Sequence, residues 1–167
     1  MAFDRRMLDH ETLRECEAIL EDIRKAGLTL ATAESCTGGL IAAGLTSIPG
    51  YSGTFLGGFV VYSNAMKASE LGVPVGVIDA VGAVSEAVAR LMAEGALTRS
   101  GAALAVSCTG VAGPSGGSPG KPVGLVHLAV ARVGQSTIHA APVFSGDRTA
   151  VRAATVRKAL AMLRQAL

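Results

Sequence analysis

Leu28-Thr29-Leu30-Ala31-Thr32-Ala33-Glu34-Ser35-Cys36-Thr37-Gly38-Gly39 is the stretch from which the fold can be read. Leu28 to Ala33 reads as a short buried strand. Glu34 to Gly39 reads as the turn that leaves it. The apolar run Leu40 to Leu45 follows as a helix, stopped near Pro49 and Gly50. Upstream, Leu13, Cys16, Ile19, Leu20 and Ile23 recur at three- and four-residue steps, an amphipathic helix that Gly27 ends as its C′ residue.

Downstream, Thr54 to Tyr62 is rich in β-branched and aromatic residues and predicts the next strand. Ser63 and Ser85 are candidate caps for helices over Asn64–Leu71 and Glu86–Arg99. Gly72 to Ala83, interrupted by Pro74, is ambiguous between loop and a single helical turn. Ala102 to Cys108 predicts a fully buried strand, followed by a glycine- and proline-rich loop over Thr109–Pro122. Val123–Val133 and Ser136–Phe144 predict a hairpin around Gly134 and Gln135, and Asp147–Leu167 the final helix. Helices alternating with strands, closed by a hairpin, imply a single α/β domain with a mixed sheet and helices on both faces.

The chain has 167 residues, enough for one core, and half of them are apolar. Aromatics are only 4% against 21 glycines, so close approach of backbones replaces bulky packing. Fifteen basic and 13 acidic residues leave a net charge of +2, too balanced to call for nucleic acid or an anionic membrane. The cluster Arg148, Arg152, Arg157, Lys158 and Arg164 reads as a solvated helix face. Cys16, Cys36 and Cys108 are odd in number and carry no CxxC spacing, so neither a disulfide framework nor a zinc site is expected. Met1 to Arg6 leads into no apolar segment of a secretory signal, and no apolar run reaches the ~18–20 residues of a membrane span. A cytoplasmic protein is expected.

Ligands gather where strand ends meet loops and helix N-termini. Three polar segments fall at such junctions: Glu34–Gly39, Tyr62–Lys67 and Thr109–Lys121. A serine on a sharp strand-to-helix turn presents its hydroxyl to a ligand, and the N–H groups that follow can hold an oxyanion. Gly38 and Gly39 permit close approach. A plain helix cap is the alternative reading of these residues, and Cys36 is a rival nucleophile.

A neutral hydroxyl needs a base. His10 lies in the polar N-terminal segment, while His127 and His139 fall inside predicted strands, so a Ser–His–Asp triad is not expected. A buried lysine can serve if burial keeps it neutral. Lys25 sits on the solvated side of the first helix. Lys67 lies one turn past a strand end, behind Tyr62, Ser63 and Asn64, and shares a helix face with Asn64. Tyr62 could relay a proton between Lys67 and Ser35 or orient the amine; a surface lysine and a sheet-end tyrosine are the alternatives. The loop Thr109–Pro122 is no Walker A motif, because Ser115 stands where Gly is needed and Pro122 where Ser or Thr is needed. At about 14 residues it is longer than most connections, which favours a ligand role.

Taken together these segments resemble the C-terminal domain of CinA (competence/damage-inducible) proteins. The matching pieces are ESCTGG at Glu34–Gly39, GFVVYSNAMK at Gly58–Lys67, GAVSE at Gly82–Glu86, TGVAGPSGG at Thr109–Gly117, KPVG at Lys121–Gly124 and FSGDR at Phe144–Arg148. The six pieces appear in family order and together span nearly the whole chain. The resemblance implies a three-layer α/β/α sandwich and hydrolysis of nicotinamide mononucleotide to nicotinate mononucleotide and ammonia. It implies a serine nucleophile at Ser35, a lysine base at Lys67 and an assisting tyrosine at Tyr62. It also implies that Thr37, Gly38, Gly39, Thr109 and Gly110 contact substrate, with Asn64 beside them.

Arg148 or Lys121 is then the candidate holder of the 5′-phosphate, and the oxyanion is expected near the N–H groups of Thr37 and Gly38. Ser118 and Gly120 depart from a common Thr and Glu in the loop. The serine route calls for no metal and no cofactor, and the only partner implied is the small-molecule substrate; a homo-oligomer is left open. Longer members carry a further domain N-terminal to the part this chain matches. Two alternatives stand beside this reading: a non-catalytic nucleotide-binding or regulatory module, and a serine amidase for another small amide.

Overall fold

A computed structural model of the chain describes residues 7–167; the start of the chain, including the segment read for a secretory signal, lies outside the described residues. Helix α1 (His10–Lys25) begins where the Asp9 carboxylate accepts the Thr12 N–H at 2.8 Å, and it buries Cys16, Ile19, Leu20 and Ile23. Gly27 follows at φ +68°, a left-handed C′ position that suits glycine. Next come β1 (Leu30–Glu34), α2 (Leu40–Thr46), β2 (Phe55–Val60) and α3 (Asn64–Leu71). They are followed by α4 (Val75–Val81), α5 (Glu86–Ser100), β3 (Leu104–Gly110), β4 (Val126–Arg132), β5 (Ile138–Ala140) and α6 (Arg148–Gln165). Ser63, Ser85 and Asp147 cap α3, α5 and α6 through their side chains, accepting the N–H groups of Met66, Val88 and Ala150.

The five strands stand in the order β2-β1-β3-β4-β5. β1 runs parallel to both β2 and β3, whereas β3–β4 and β4–β5 are antiparallel, so the sheet is mixed as expected. One face packs Leu30, Leu104, Val106, Leu128 and Val130 against α1, α2 and α6. The other face is lined with Ala31, Ala33, Ala105, Ala129 and Ala131 and packs against α5, itself carrying Ala89, Ala93 and Ala96. Alanine on both sides lets helix and sheet approach closely, which is how a chain so poor in aromatics fills its interior. The chain is a three-layer α/β/α domain. Among the described residues no helix is long and apolar enough to cross a membrane.

Some boundaries differ from the sequence expectation. β1 starts at Leu30 and extends through Glu34, and β3 runs on through Thr109 and Gly110, taking two residues from the expected loop. The ambiguous stretch holds α4, whose start at Pro74 has no side-chain cap and so leaves no local signal. The hairpin is shorter than expected. Pro142 cannot donate to a ladder, and beyond Ala140 only a single bridge, Leu125 with Val143, continues the pairing.

Candidate active site

The chain leaves β1 at Glu34 and turns sharply. The Ser35 N–H donates to the Cys108 carbonyl on β3 at 3.1 Å, and Gly38 and Gly39 carry φ of +60° and +95°, which only glycine adopts without strain. Gly39 offers α2 no side-chain cap. The wholly buried Glu34 carboxylate does this instead, accepting the Ile41 and Ala42 N–H groups at 3.0 and 2.8 Å and the Thr37 hydroxyl at 2.6 Å. This anchoring role escaped the sequence reading, although a carboxylate shortly before a helix start is the signal that could have found it.

Lys67 sits in the first turn of α3 and is only 1% exposed. Its Nζ lies 3.1 Å from Ser35 Oγ, 3.0 Å from the Val61 carbonyl and 3.2 Å from the Tyr62 carbonyl. Burial pushes the amine pKa below its ordinary value, opposed by the nearby thiols of Cys36 and Cys108. A neutral amine has two N–H bonds and one lone pair. If the two carbonyls take those N–H bonds, the lone pair is left for the Ser35 hydroxyl. The contact between amine and alcohol is direct.

Tyr62 does not occupy the expected relay position. Val61 is buried, so the next side chain along the extended backbone points outward, and Tyr62 is 63% exposed. Its hydroxyl lies 3.4 Å from Arg148 Nη2, and what it gives Lys67 is its backbone carbonyl. Arg148 also donates to the Gly113 carbonyl at 2.9 Å, tying the start of α6 to the loop after β3.

A pocket of about 190 Å³ opens over this pair. Ser35, Cys36 and Lys67 form one wall, Thr109, Gly110 and Ala112 another, and Ala83 and Val84 a third, with Tyr62, Asn64 and Arg148 among the lining residues. The Thr109 hydroxyl donates to the Ala83 carbonyl at 2.9 Å and so joins two of the walls. Ala83, Val84 and Ala112 were not singled out from sequence, because small apolar side chains carry no local mark of a site; Cys36 was read only as a rival nucleophile. Larger grooves, among them one of about 640 Å³ beside the start of α6 and one of about 380 Å³ beside Tyr51, contain neither Ser35 nor Lys67.

Thr37, Gly38 and Gly39 do not line the pocket. The Thr37 side chain is buried between Glu34 and Cys108 Sγ, and the Gly38 N–H is taken by the Ser35 carbonyl at 3.0 Å. The Gly38 N–H expected to hold the oxyanion is therefore engaged within the turn. Among the described residues the Thr37 N–H has no hydrogen-bond acceptor, and the Cys36 N–H lies against its own thiol. Lys121 is also placed elsewhere: its ammonium donates to the Val81 carbonyl at the end of α4, at 2.6 Å, where the helix dipole favours a cation.

The comparisons with known proteins agree on one family. A model described as the CinA C-terminal domain matches residues 13–167. The chain is similar to a solved structure titled competence/damage inducible protein CihA from Agrobacterium tumefaciens. That similarity is 44% identity with a TM-score of 0.92, covering 99% of this chain and 98% of that one. It is also similar to the competence damage-inducible protein A (ComA) from Klebsiella pneumoniae, at 36% identity and a TM-score of 0.88, covering 92% and 95%. A CinA-like protein of Citrifermentans bemidjiense is 49% identical over 159 residues, which is 95% of this chain and 38% of that protein. The chain spans less than two-fifths of the length of the curated relatives it matches. With the fold, the motif order and the matched length in agreement, the chain belongs to the CinA C-terminal domain family.

Proposed function

We propose that this domain hydrolyses the carboxamide of nicotinamide mononucleotide to nicotinate mononucleotide and ammonia, with Ser35 as nucleophile and Lys67 as base. The observation that carries the reading is the 3.1 Å contact between a buried, pKa-lowered amine and a serine hydroxyl that share one pocket. Neutral Lys67 takes the Ser35 proton as Oγ attacks the carboxamide carbon. The oxyanion rests on the N–H groups of Cys36 and Thr37. Ammonia departs with the proton returned by Lys67, and a water deprotonated by the same amine then hydrolyses the acyl-enzyme, restoring Ser35. A pocket of about 190 Å³ is below the ~300–1,000 Å³ of sites that enclose a drug-sized ligand, which suits entry of the carboxamide ring with the sugar phosphate toward the rim. There the exposed Arg148 guanidinium offers a fork for phosphate.

The test is ammonia release from nicotinamide mononucleotide, free nicotinamide and simple amides, with wild type and Ser35→Ala. The mononucleotide should be the preferred substrate, and Ser35→Ala should remain folded while losing turnover. Near-normal turnover in that variant removes the nucleophile assignment, and nucleotide binding without turnover in wild type replaces the enzyme by a binding module.

A further inference from the structure

The mechanism leaves two thiols beside the reacting groups unused. Cys36 lines the pocket with Ser35 and Lys67 and is 5% exposed, whereas Cys108 is fully buried behind it. The register of β1 on β3 sets Glu34 opposite Cys108, and the chain then turns with the Ser35 N–H on the Cys108 carbonyl. Cys36, the next residue, is thereby brought beside Cys108, near enough that each thiol shifts the titration of the other. Thr37, one residue on, holds its hydroxyl 3.1 Å from Cys108 Sγ.

We propose that Cys36 and Cys108 are a peroxide-responsive thiol pair: a small hydroperoxide entering the Ser35 pocket oxidises Cys36, and Cys108 resolves the product to a disulfide. In the first step the Cys36 sulfur attacks the peroxide oxygen. An S–O bond forms, the O–O bond breaks, and the peroxide leaves as an alcohol, or as water when it is hydrogen peroxide. In the second step the Cys108 sulfur attacks the sulfenic sulfur. The S–S bond forms, the S–O bond breaks, and the departing hydroxide takes the thiol proton as water. In sum, two thiols lose two hydrogens and one peroxide is reduced.

The surroundings fit the two roles. Cys36 opens on the pocket and Cys108 does not, so a peroxide meets Cys36 first. The contact between the thiols holds Cys36 below its ordinary value against burial and the Glu34 carboxylate, and pushes Cys108 up together with burial. Cys16, the third thiol, lies on α1 with its pKa pushed up to about 12 by burial, and it supplies an internal control. A disulfide demands a sulfur separation of about 2.0 Å. Closing to that distance draws Cys36 toward the sheet and displaces the Cys36 and Thr37 N–H groups along with Ser35. A misplacement of about 1 Å at reacting groups costs on the order of 100-fold in rate.

The experiment uses the whole chain, reduced, freed of reductant and exposed in its native state to hydrogen peroxide, then alkylated, digested and weighed. The expected product is a linked Cys36–Cys108 peptide lighter by two hydrogens, reversed by dithiothreitol, with Cys16 alkylated as before. In Cys108→Ser, circular dichroism reports folding, and Cys36 should instead gain oxygen in a form that dithiothreitol no longer restores. Alkylation of both Cys36 and Cys108 after peroxide, or Cys16 oxidising as fast as Cys36, overturns the proposal. Inhibition rests on the amidase reading, and linkage does not: turnover should fall about 100-fold on oxidation. A linked peptide in a protein with no amidase activity would refute that reading alone.

Discussion

Replacing Lys67 by Met removes one amine and keeps the length of the side chain. The amine contacts Ser35 Oγ at 3.1 Å and the Val61 and Tyr62 carbonyls at 3.0 and 3.2 Å. A positioned base contributes on the order of 10²–10⁴ in rate, so turnover should fall by that factor, about 2.7–5.5 kcal/mol of transition-state stabilisation. Stability should change much less. Two carbonyls lose their donor, at roughly 1–3 kcal/mol for each left unpaired, but the cost of burying an amine disappears as well.

The two effects are separated by pH. The native pKa of Lys67 lies below 10.5, so between that native value and 10.5 the unfolded chain binds more protons than the native one. Wild-type stability therefore gains with rising pH across this window, by up to about 1.4 kcal/mol per unit from this group, and the Lys67→Met variant lacks that gain. Urea unfolding of both proteins at several pH values between 7 and 10, as a difference, isolates the lysine from other titrations. Ammonia release measured over the same range should rise in wild type as the amine loses its proton. Turnover of Lys67→Met within tenfold of wild type, or a stability difference that does not vary with pH, would refute the neutral-base reading.

Arg148→Ala should raise KM for nicotinamide mononucleotide at least tenfold with a smaller change in kcat, and leave any turnover of phosphate-free amides unchanged; steady-state kinetics on both substrates checks this. Gly95→Ala, in the interior of α5, should gain up to about 1 kcal/mol of helix propensity. The new methyl runs into the Leu71 carbonyl and comes within 3.1 Å of Leu71 Cβ, and such overpacking typically costs about 1–3 kcal/mol, so the midpoint of thermal unfolding should fall. His127 and His139 stack with Nδ1 and Nε2 3.0 Å apart. Burial lowers both pKa values below 6.5; His139 and Lys121 add to this at His127, and at His139 Arg90 adds while Glu86 opposes. The unfolded chain is then protonated first, so stability present above pH 6.5 is lost as pH falls through the native values. A His127→Gln/His139→Gln double variant should show a flatter urea midpoint between pH 7.5 and 5.

Local features of this chain were legible because their physics is local. The stripe Cys16–Ile19–Leu20–Ile23, the caps at Ser63 and Ser85 and the left-handed Gly27 each follow from residues within one or two turns of one another. Alternating apolar segments were enough for the layered, mixed-sheet architecture, because each sheet face must be covered. The three junction segments each contribute residues to one pocket, because strand ends and helix starts collect polar groups.

What tertiary structure alone decided is set by contacts distant along the chain. Lys67 and Ser35 are 32 positions apart, and only the packing of α3 beside the end of β1 turns an ordinary lysine into a buried amine. Pleating at the end of β2 directed the Tyr62 hydroxyl to Arg148 and left its carbonyl for the lysine. The β1–β3 register set Glu34 opposite Cys108, and the turn after β1 folded Thr37 inward onto Cys108, 71 positions away, and out of the pocket. Residue types and periodicity determine which segments become strands and helices and which loops can hold chemistry. Desolvation of one amine and the direction of one side chain depend on what lies opposite in space, and no pattern along the chain carries that.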